Sequence, residues 1–427
     1  MRKDTVKNTS SKSLPVHKYT KFAAISENEE VTRVKINGDK LEEALTRRSN
    51  LYQLRNQTQG ILKNRHLVCG NLPVQDTVKI GRSNTNRLIY SGLAACGLRW
   101  ACPVCAIKIS TGKADDVQKI LKNSQLRGYK IFFATLTVSH STANRLEDLI
   151  YKVKENYRKL TAKRAYKGFR DKMGIIGYIK AFEITYGEKN GWHPHLHFAY
   201  VCNKDVDIKE FERELFNLWY NMQDEKISRK GFKVKHMNDA TLADYLSKWQ
   251  LSEELTLGSF KEGKTSTIFT ILQKKLVENS EELYKEYVKA TKGLAALYIH
   301  KNLKEFGEDR QEEEILNDAD KVLEILMHFD LKLWHVIRHN KLQLEIINNF
   351  ERYGIEGIFA VLNNFVDFEY YKKGNFMNVN ELNYSNFLAE NNLRTGNTKG
   401  KRSTKIKRLT YEKNTVTESS GAIGKDP

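Results

Sequence analysis

No run of about 18 apolar residues occurs anywhere in the 427-residue chain, so no segment is expected to span a bilayer. The opening residues, MRKDTVKNTSSKSLPVHKY, lack the apolar stretch of a secretory signal, and a cytoplasmic protein is the expectation. Acidic residues are also in deficit: 52 Asp and Glu stand against 71 Lys and Arg, a formal charge of +19. That balance suits a polyanion, most simply nucleic acid, with an anionic membrane surface as the competitor. Cysteine is scarce, five residues in all, and in a reducing compartment these are expected as thiols or metal ligands rather than disulfides. The length suffices for two or three domains and a sizeable core.

What the chain does have is concentrated between Gly177 and Cys202. Two runs rich in β-branched and aromatic residues, Tyr178–Tyr186 and Trp192–Val201, flank the polar segment Gly187–Gly191, the pattern of an antiparallel hairpin. Alternation puts His193, His195 and His197 on one face and Phe198, Tyr200 and Cys202 on the other. A hairpin symmetric about Asn190 sets Glu183 opposite His197 and Thr185 opposite His195, with paired Cβ atoms about 4.5–5.5 Å apart. One histidine in such a place is most simply an exposed or hydrogen-bonded residue. Three on one face opposite a carboxylate point to a divalent cation. Pro194 cannot donate to the ladder, so His195 and His197 are the stronger ligand candidates and His193 the weaker.

Four of the five cysteines lie between residues 60 and 110: Cys69, Cys96, Cys102 and Cys105. Cys102-Pro-Val-Cys105 is a C-x-x-C knuckle with Cys96 six residues before it. Small buried residues or a redox pair would also account for it, but soft thiolates in a reducing compartment favour a closed, structural Zn²⁺ site. Cys202 is expected as a core thiol.

Elsewhere the coarse pattern reads as follows. Residues 1–55 are polar, with a weak amphipathic segment at Leu41–Leu54 and about thirty flexible residues before it. Ala106–Gln125 reads as a helix and Lys130–Val138 as a strand with Thr135 and Thr137 on one face. Leu146 to about Lys172 reads as one amphipathic helix, apolar at Leu149, Val153, Tyr157 and Leu160. Its other face carries Lys152, Lys154, Arg158, Lys159, Lys163 and Arg164, either a solvated face or a surface that tracks phosphates. Asp207–Asp224 is expected as a helix, Gly231–Val234 as a short strand and Asn238–Trp249 as a capped helix. On that last helix Tyr245 and Lys248 share a face. Periodicity alone makes Tyr245 part of an ordinary apolar stripe with Leu242, Leu246 and Trp249. Residues 311–365 read as two or three helices carrying Trp334. Leu393–Val416 holds eight basic residues against one Glu and is expected to be disordered.

His195-Leu-His197 following a strand that bears Glu183 resembles the metal motif of HUH-type single-strand endonucleases. The longer Glu183-Ile-Thr-Tyr186…Gly191-Trp-His-Pro-His-Leu-His197 is similar to the replication (Rep) initiators of small rolling-circle plasmids. The resemblance covers roughly residues 60–365. It includes the cysteine segment (Cys69-Gly-Asn71, then Cys96…Cys102-Pro-Val-Cys105), Glu253–Gly258, the basic Lys261–Lys264, a Thr-rich strand to Leu272 and a helix Glu281–Ala296. It implies an α+β HUH endonuclease domain, a central antiparallel sheet flanked by helices, preceded by a zinc segment and followed by a helical region. The divisions expected are 1–55, 56–127, 128–275, 276–365 and a basic tail, 366–427.

The same resemblance implies the chemistry. Tyr245-Leu-Ser-Lys248 lies where the initiators keep their nucleophile, with Tyr220 in reserve. Tyr245 would form a 5′-phosphotyrosine and free a 3′-hydroxyl primer, assisted by Lys248 and by Mn²⁺ or Mg²⁺ on Glu183, His195 and His197. The implied partners are single-stranded or hairpin origin DNA, a host helicase and a DNA polymerase. Many relatives carry Glu one turn before the tyrosine; here Thr241 stands in that position, which leaves the activating group for termination unassigned. An HUH transposase with one tyrosine shares the chemistry, although the cysteine segment and Glu253–Gly258 favour the initiator. A mobilisation relaxase usually has its tyrosine before the histidines. A zinc-containing DNA-binding regulator without catalysis leaves the Glu183–His195–His197 convergence unexplained, and a zinc hydrolase has no need of the charge.

Overall fold

The computed structural model describes residues 38–62, 65–83, 86–203, 205–223, 229, 232, 234–236 and 266–365. The expected flexible N-terminal stretch, the expected helix 238–249 with Tyr245 and Lys248, and the expected basic tail lie outside the described residues. In chain order the elements are α1 (Gly38–Leu62), β1 (Thr77–Arg82), β2 (Leu88–Ser91), α2 (Pro103–Leu126), β3 (Lys130–Thr137), α3 (Leu146–Ala162) and α4 (Arg164–Lys172). There follow β4 (Ile175–Gly187), β5 (Gly191–Cys202), α5 (Ile208–Tyr220), β6 (Val234–His236), α6 (Ile268–Lys274), α7 (Ser280–Ala290) and β7 (Leu297–Ile299). The last are α8 (Glu312–Ala319), β8 (Glu324–Asp330), α9 (Leu331–His339), α10 (Gln343–Tyr353) and α11 (Ile355–Leu362). No helix among the described residues is long and apolar enough to cross a membrane.

The expected central antiparallel sheet flanked by helices is present, in the strand order β6-β3-β5-β4-β7 with every pairing antiparallel. Its two faces differ. Phe132, Ala134 and Leu136 of β3 and Phe198, Tyr200 and Cys202 of β5 point toward α3, α4 and α5 and form the larger core. The helix α3 supplies Leu146, Leu149, Ile150, Val153 and Leu160 to it, a stripe at helical spacing. Each such fully buried side chain contributes about 1.5–3 kcal/mol. The opposite face is apolar at only one end, where Ile131, Phe133, Ile179, Ala199 and Val201 meet Val117, Ile120 and Leu121 of α2. Leu303 and Phe306, from a 3-10 turn at Lys301–Phe306, close that end. Toward the other end the same face turns polar, at Thr135, Glu183, His195 and His197.

Several local expectations are corrected. The helix expected over Leu146–Lys172 is two, broken where Lys163 takes extended backbone (φ −78°, ψ 136°). The Thr-rich strand expected up to Leu272 is the helix α6, because the Thr267 side chain caps it by accepting from the Thr270 amide. Among the described residues of the expected strand, Ser266 bridges to Tyr186. The helix expected over Glu281–Ala296 ends at Ala290, and Leu297–Ile299 joins the sheet beside β4. The helix α1 runs across the expected division at residue 55, with Leu45 and Leu54 buried.

Residues 311–365 hold four helices and also a strand, β8, that pairs with β1 to form a second sheet, β2-β1-β8. Trp334 lies at this junction, edge-on to Tyr90 at 5.2 Å, with its indole N–H donating to the Asn71 carbonyl at 3.0 Å. Trp334→Ala should therefore cost about 3–5 kcal/mol and lower the urea midpoint, because it empties a site only 1% exposed. An unchanged midpoint would show that the helices after residue 330 do not support the segment around Asn71.

Candidate functional site

The hairpin β4–β5 carries the first cluster. Its last pair is Gly187 with Gly191, so the turn centres on Lys189 and not on Asn190. Glu183 accordingly faces His195, Thr185 faces His193 and Ala181 faces His197, a correction of two residues to the expected register. The reason is local: Asn190 N–H closes on the Gly187 carbonyl at 3.1 Å and Gly191 takes φ +71°, the left-handed residue that ends a three-residue hairpin loop. A Cβ at Gly191 would also lie 2.8 Å from the Ser141 carbonyl oxygen. Because the shift is even, no side chain changes face.

Glu183, His195 and His197 still converge. One carboxylate oxygen, Glu183 Oε2, lies 3.0 Å from His195 Nε2 and 2.5 Å from His197 Nε2, and these three residues could hold a metal ion. The His195 tautomer follows from its partner. His195 Nδ1–H donates to the His193 carbonyl at 3.1 Å, which leaves Nε2 turned to the carboxylate. His197 Nδ1 lies 3.0 Å from the Thr135 hydroxyl. A ring nitrogen with a lone pair cannot rest against a carboxylate oxygen unless a proton or a cation lies between them. Burial would raise the Glu183 carboxyl, but the two imidazoles outweigh it and hold it well below the usual range. Burial would lower His195, and Glu183 more than offsets that and raises it.

His193 stands apart from the group. Its ring stacks on His140 at 4.5 Å and lies 4.7 Å from His195, and burial followed by its charged neighbours holds it down at about 3, so it is neutral at pH 7. His140 was not foreseen, since nothing in sequence brings the end of β3 to the start of β5. Thr135 carried a visible signal, its place on one strand face with Thr137, but only the β3–β5 register sets it opposite His197. Tyr220 ends α5, which packs on the sheet face turned away from the cluster. Lys152, Arg158 and Lys159 on α3, Lys163 at the break and Arg164 on α4 also lie on that far side. Arg158 there is paired with Glu155. Tyr245 and Lys248 lie outside the described residues.

The second cluster is the cysteines. All four are buried thiols, with Sγ separations of 3.6 Å for Cys69–Cys105 and Cys96–Cys105 and 3.5 Å for Cys102–Cys69. Together they could hold a metal ion. Cys69 and Cys96 are each followed by a glycine of positive φ, Gly70 at +67° and Gly97 at +66°, which turns the chain sharply at the thiol. Cys102 is the N-cap of α2 and Pro103 sits in its first turn, so the thiols at 102 and 105 lie at the positive end of a helix. Hydrogen bonds from Cys102, Cys105 and Cys96 lower the Cys69 thiol, while burial and then its neighbours push Cys102 well up. Such a cluster does not ionise fully without a cation. His66 supports it, with Nδ1 3.7 Å from Cys96 Sγ and Nε2 2.9 Å from the Thr58 hydroxyl. Cys202 sits in the larger core, its thiol pushed up to about 12 by burial.

Thr135→Val keeps the β-branched shape and removes only the hydroxyl that orients His197. It should weaken Mn²⁺ binding at the Glu183 cluster about 10–100-fold in calorimetric titration. Unchanged affinity would reduce Thr135 to sheet packing.

Comparison with known proteins bears on what these clusters belong to. The chain is 30% identical over 146 residues to "Protein rep" of Streptomyces lividans, covering 28% of this chain and 32% of that protein. It is 28% identical over 144 residues to "Neomycin resistance protein" of Streptomyces cyanogenus, covering 28% and 33%. It is 30% identical over 139 residues to "Protein rep" of Bacillus amyloliquefaciens, covering 32% and 39%. The matches thus span about a third of each relative's length. No solved structure matches the chain. The profile of the family described as "Replication protein" matches residues 90–325, more than half of the chain and inclusive of β3, β4, β5 and three of the four cysteines. The chain belongs to that family, the replication proteins typified by plasmid Rep initiators.

Proposed function

We propose that this protein initiates rolling-circle replication of a plasmid as an HUH-type endonuclease, nicking one origin strand through a tyrosine nucleophile. The observation that carries the reading is the meeting of Glu183 Oε2 with the Nε2 atoms of His195 and His197 on one face of the sheet, within a replication-protein chain. The Glu183 Oε2 separations of 3.0 Å from His195 Nε2 and 2.5 Å from His197 Nε2 bring all three atoms close enough to bind one cation. Two imidazoles and one carboxylate suit Mn²⁺, with Mg²⁺ the abundant alternative. Glu183, His195 and His197 would hold a divalent cation there, which would supply Lewis-acid polarisation of the scissile phosphate for in-line displacement.

The chain's own groups do the rest. Thr135 and the His193 carbonyl fix the two imidazoles so that Nε2 faces the phosphate site. The Tyr245 hydroxyl oxygen attacks phosphorus, the P–O3′ bond breaks, and the products are a 5′-phosphotyrosine and a 3′-hydroxyl. The phenol gives up a proton and the leaving O3′ gains one. Phenol has a reference pKa near ~10, so Lys248, three residues along in sequence, is assigned to stabilise the developing phenolate. Later attack by a 3′-hydroxyl on the phosphotyrosine transfers the strand at termination. Origin DNA in single-stranded or hairpin form, a host helicase and a polymerase are the partners of this reading, and the cytoplasm its setting. The outer face of α3 and α4, with Lys152, Arg158, Lys159, Lys163 and Arg164, is assigned to the phosphates of flanking DNA.

The cysteine cluster is assigned Zn²⁺ in a structural role. Four sulfurs around an ion at about 2.3 Å lie about 3.8 Å apart, and the separations of 3.5–3.6 Å approach this. Four thiolates leave no open position for substrate. Purified protein should hold one zinc per chain by elemental analysis, and Cys102→Ser should lose it and destabilise the region of residues 60–110. Zinc-free, stably folded protein would rule out the assignment.

Tyr245→Phe tests the nucleophile. It keeps the ring and removes the hydroxyl, so nicking of an origin oligonucleotide with Mn²⁺ and the covalent adduct seen by mass spectrometry should both vanish. Binding of the oligonucleotide should persist. An adduct that survives in the variant would place the nucleophile elsewhere.

A further inference from the structure

The sheet face turned away from Glu183 carries a second concentration of chemistry, at the β7 edge. There Tyr178 of β4 lies 5.7 Å from Tyr298 of β7 and 5.3 Å from His300, and Tyr157 of α3 donates its hydroxyl to that of Tyr178 at 3.0 Å. Cations are interleaved with the rings. Lys180 Nζ lies 4.3 Å from the centre of the Tyr157 ring and 5.6 Å from that of Tyr298. The Arg170 guanidinium lies 5.9 Å from the centre of Tyr178.

The balance of charge here is one-sided. Among the described residues no carboxylate pairs with Lys180, Arg170 or the exposed Lys154, and Arg170 Nε is buried without a hydrogen-bond partner. Burial, followed by repulsion from Lys154, lowers the Lys180 ammonium. Cation–π contact compensates part of this cost, but a half-buried cation without an anion remains unfavourable. Tyr298, by contrast, is 44% exposed on a three-residue edge strand. Phosphate alone would account for the cations but not for an exposed ring among them. A paired duplex keeps its bases inside, whereas a single strand offers both phosphates and unpaired base faces.

We propose that the β7 edge is a second nucleic-acid contact, where single-stranded DNA stacks a base on Tyr298 and sets its phosphates against Lys180, Arg170 and Lys154. No step of nicking uses these residues, so the contact goes beyond the catalytic reading. It holds strand that has passed around the sheet edge, away from the Glu183 cluster.

The test is binding by the full chain, in EDTA so that no cleavage occurs, to a fluorescent oligothymidylate of about 20 nucleotides. Tyr298→Ala should weaken binding about 5–100-fold and Tyr298→Phe should restore it, since stacking needs the ring and not the hydroxyl. Lys180→Met keeps the apolar stem and should flatten the slope of log K against log salt by about 0.7, one phosphate contact on a single strand. Lys122→Ala on α2 removes an exposed charge elsewhere and should leave the Tyr298-dependent term intact. Unchanged single-strand affinity in Tyr298→Ala and an unchanged salt slope in Lys180→Met would overturn the proposal. An equal loss on duplex DNA, or a loss confined to anionic vesicles, would also overturn it. Nicking is assayed separately with Mn²⁺, so either reading can fail while the other stands.

Discussion

The contact between one carboxylate oxygen and two imidazole nitrogens across β4 and β5 is the constraint on which the rest of this protein depends. It exists only in one parity of the hairpin register. A slip of one residue would send Glu183 to the α3 side of the sheet and dissolve the cluster, whereas the two-residue difference between a turn on Asn190 and one on Lys189 preserves it. His197 is then a diagonal rather than a direct neighbour of Glu183, and it still reaches the same oxygen because diagonal pairs on one sheet face lie within reach of long side chains. Gly191 holds that register from two sides, through its positive φ and through the lack of space against Ser141 and Thr142.

The sheet can present this cluster because its other demands are met elsewhere. One face is given over to packing through its centre, with Phe132, Phe198, Tyr200 and Phe211 in close ring contact. The second face is divided, apolar beneath α2 and ligand-bearing beyond Phe133. The helix α2 joins the two chemistries: its first turn holds Cys102 and Cys105, and its later turns bury Val117, Ile120 and Leu121 against the sheet. A metal held by the thiols would therefore anchor one end of the element that covers the apolar half of that face. The strand β8, arriving from more than 200 residues further along, ties β1 into the same assembly.

Both clusters were legible in sequence for the same reason. Alternation in a strand and close spacing at a knuckle are local rules, and ligands that lie near one another in sequence inherit their geometry from the backbone. The residues that support them were not legible. His140, His66 and Glu286 reach the sites from other elements, and Thr135, visible as a strand-face residue, stands opposite His197 only through the β3–β5 register. Glu286 shows this well, for it accepts from the Trp192 indole beside the histidines and from the Leu146 amide at the start of α3.

The chain's own pattern thus determined the hairpin, the face shared by its three histidines, the cysteine knuckle and the amphipathic stripe of α3, since each follows from periods of two or 3.6 residues. Tertiary structure decided which histidines share an oxygen with Glu183, that α3 breaks at Lys163, that β8 returns to β1 and that the basic face of α3 looks away from the Glu183 cluster. Those outcomes are set by cross-strand register and by which layer a helix covers, and both depend on contacts between residues far apart in the chain.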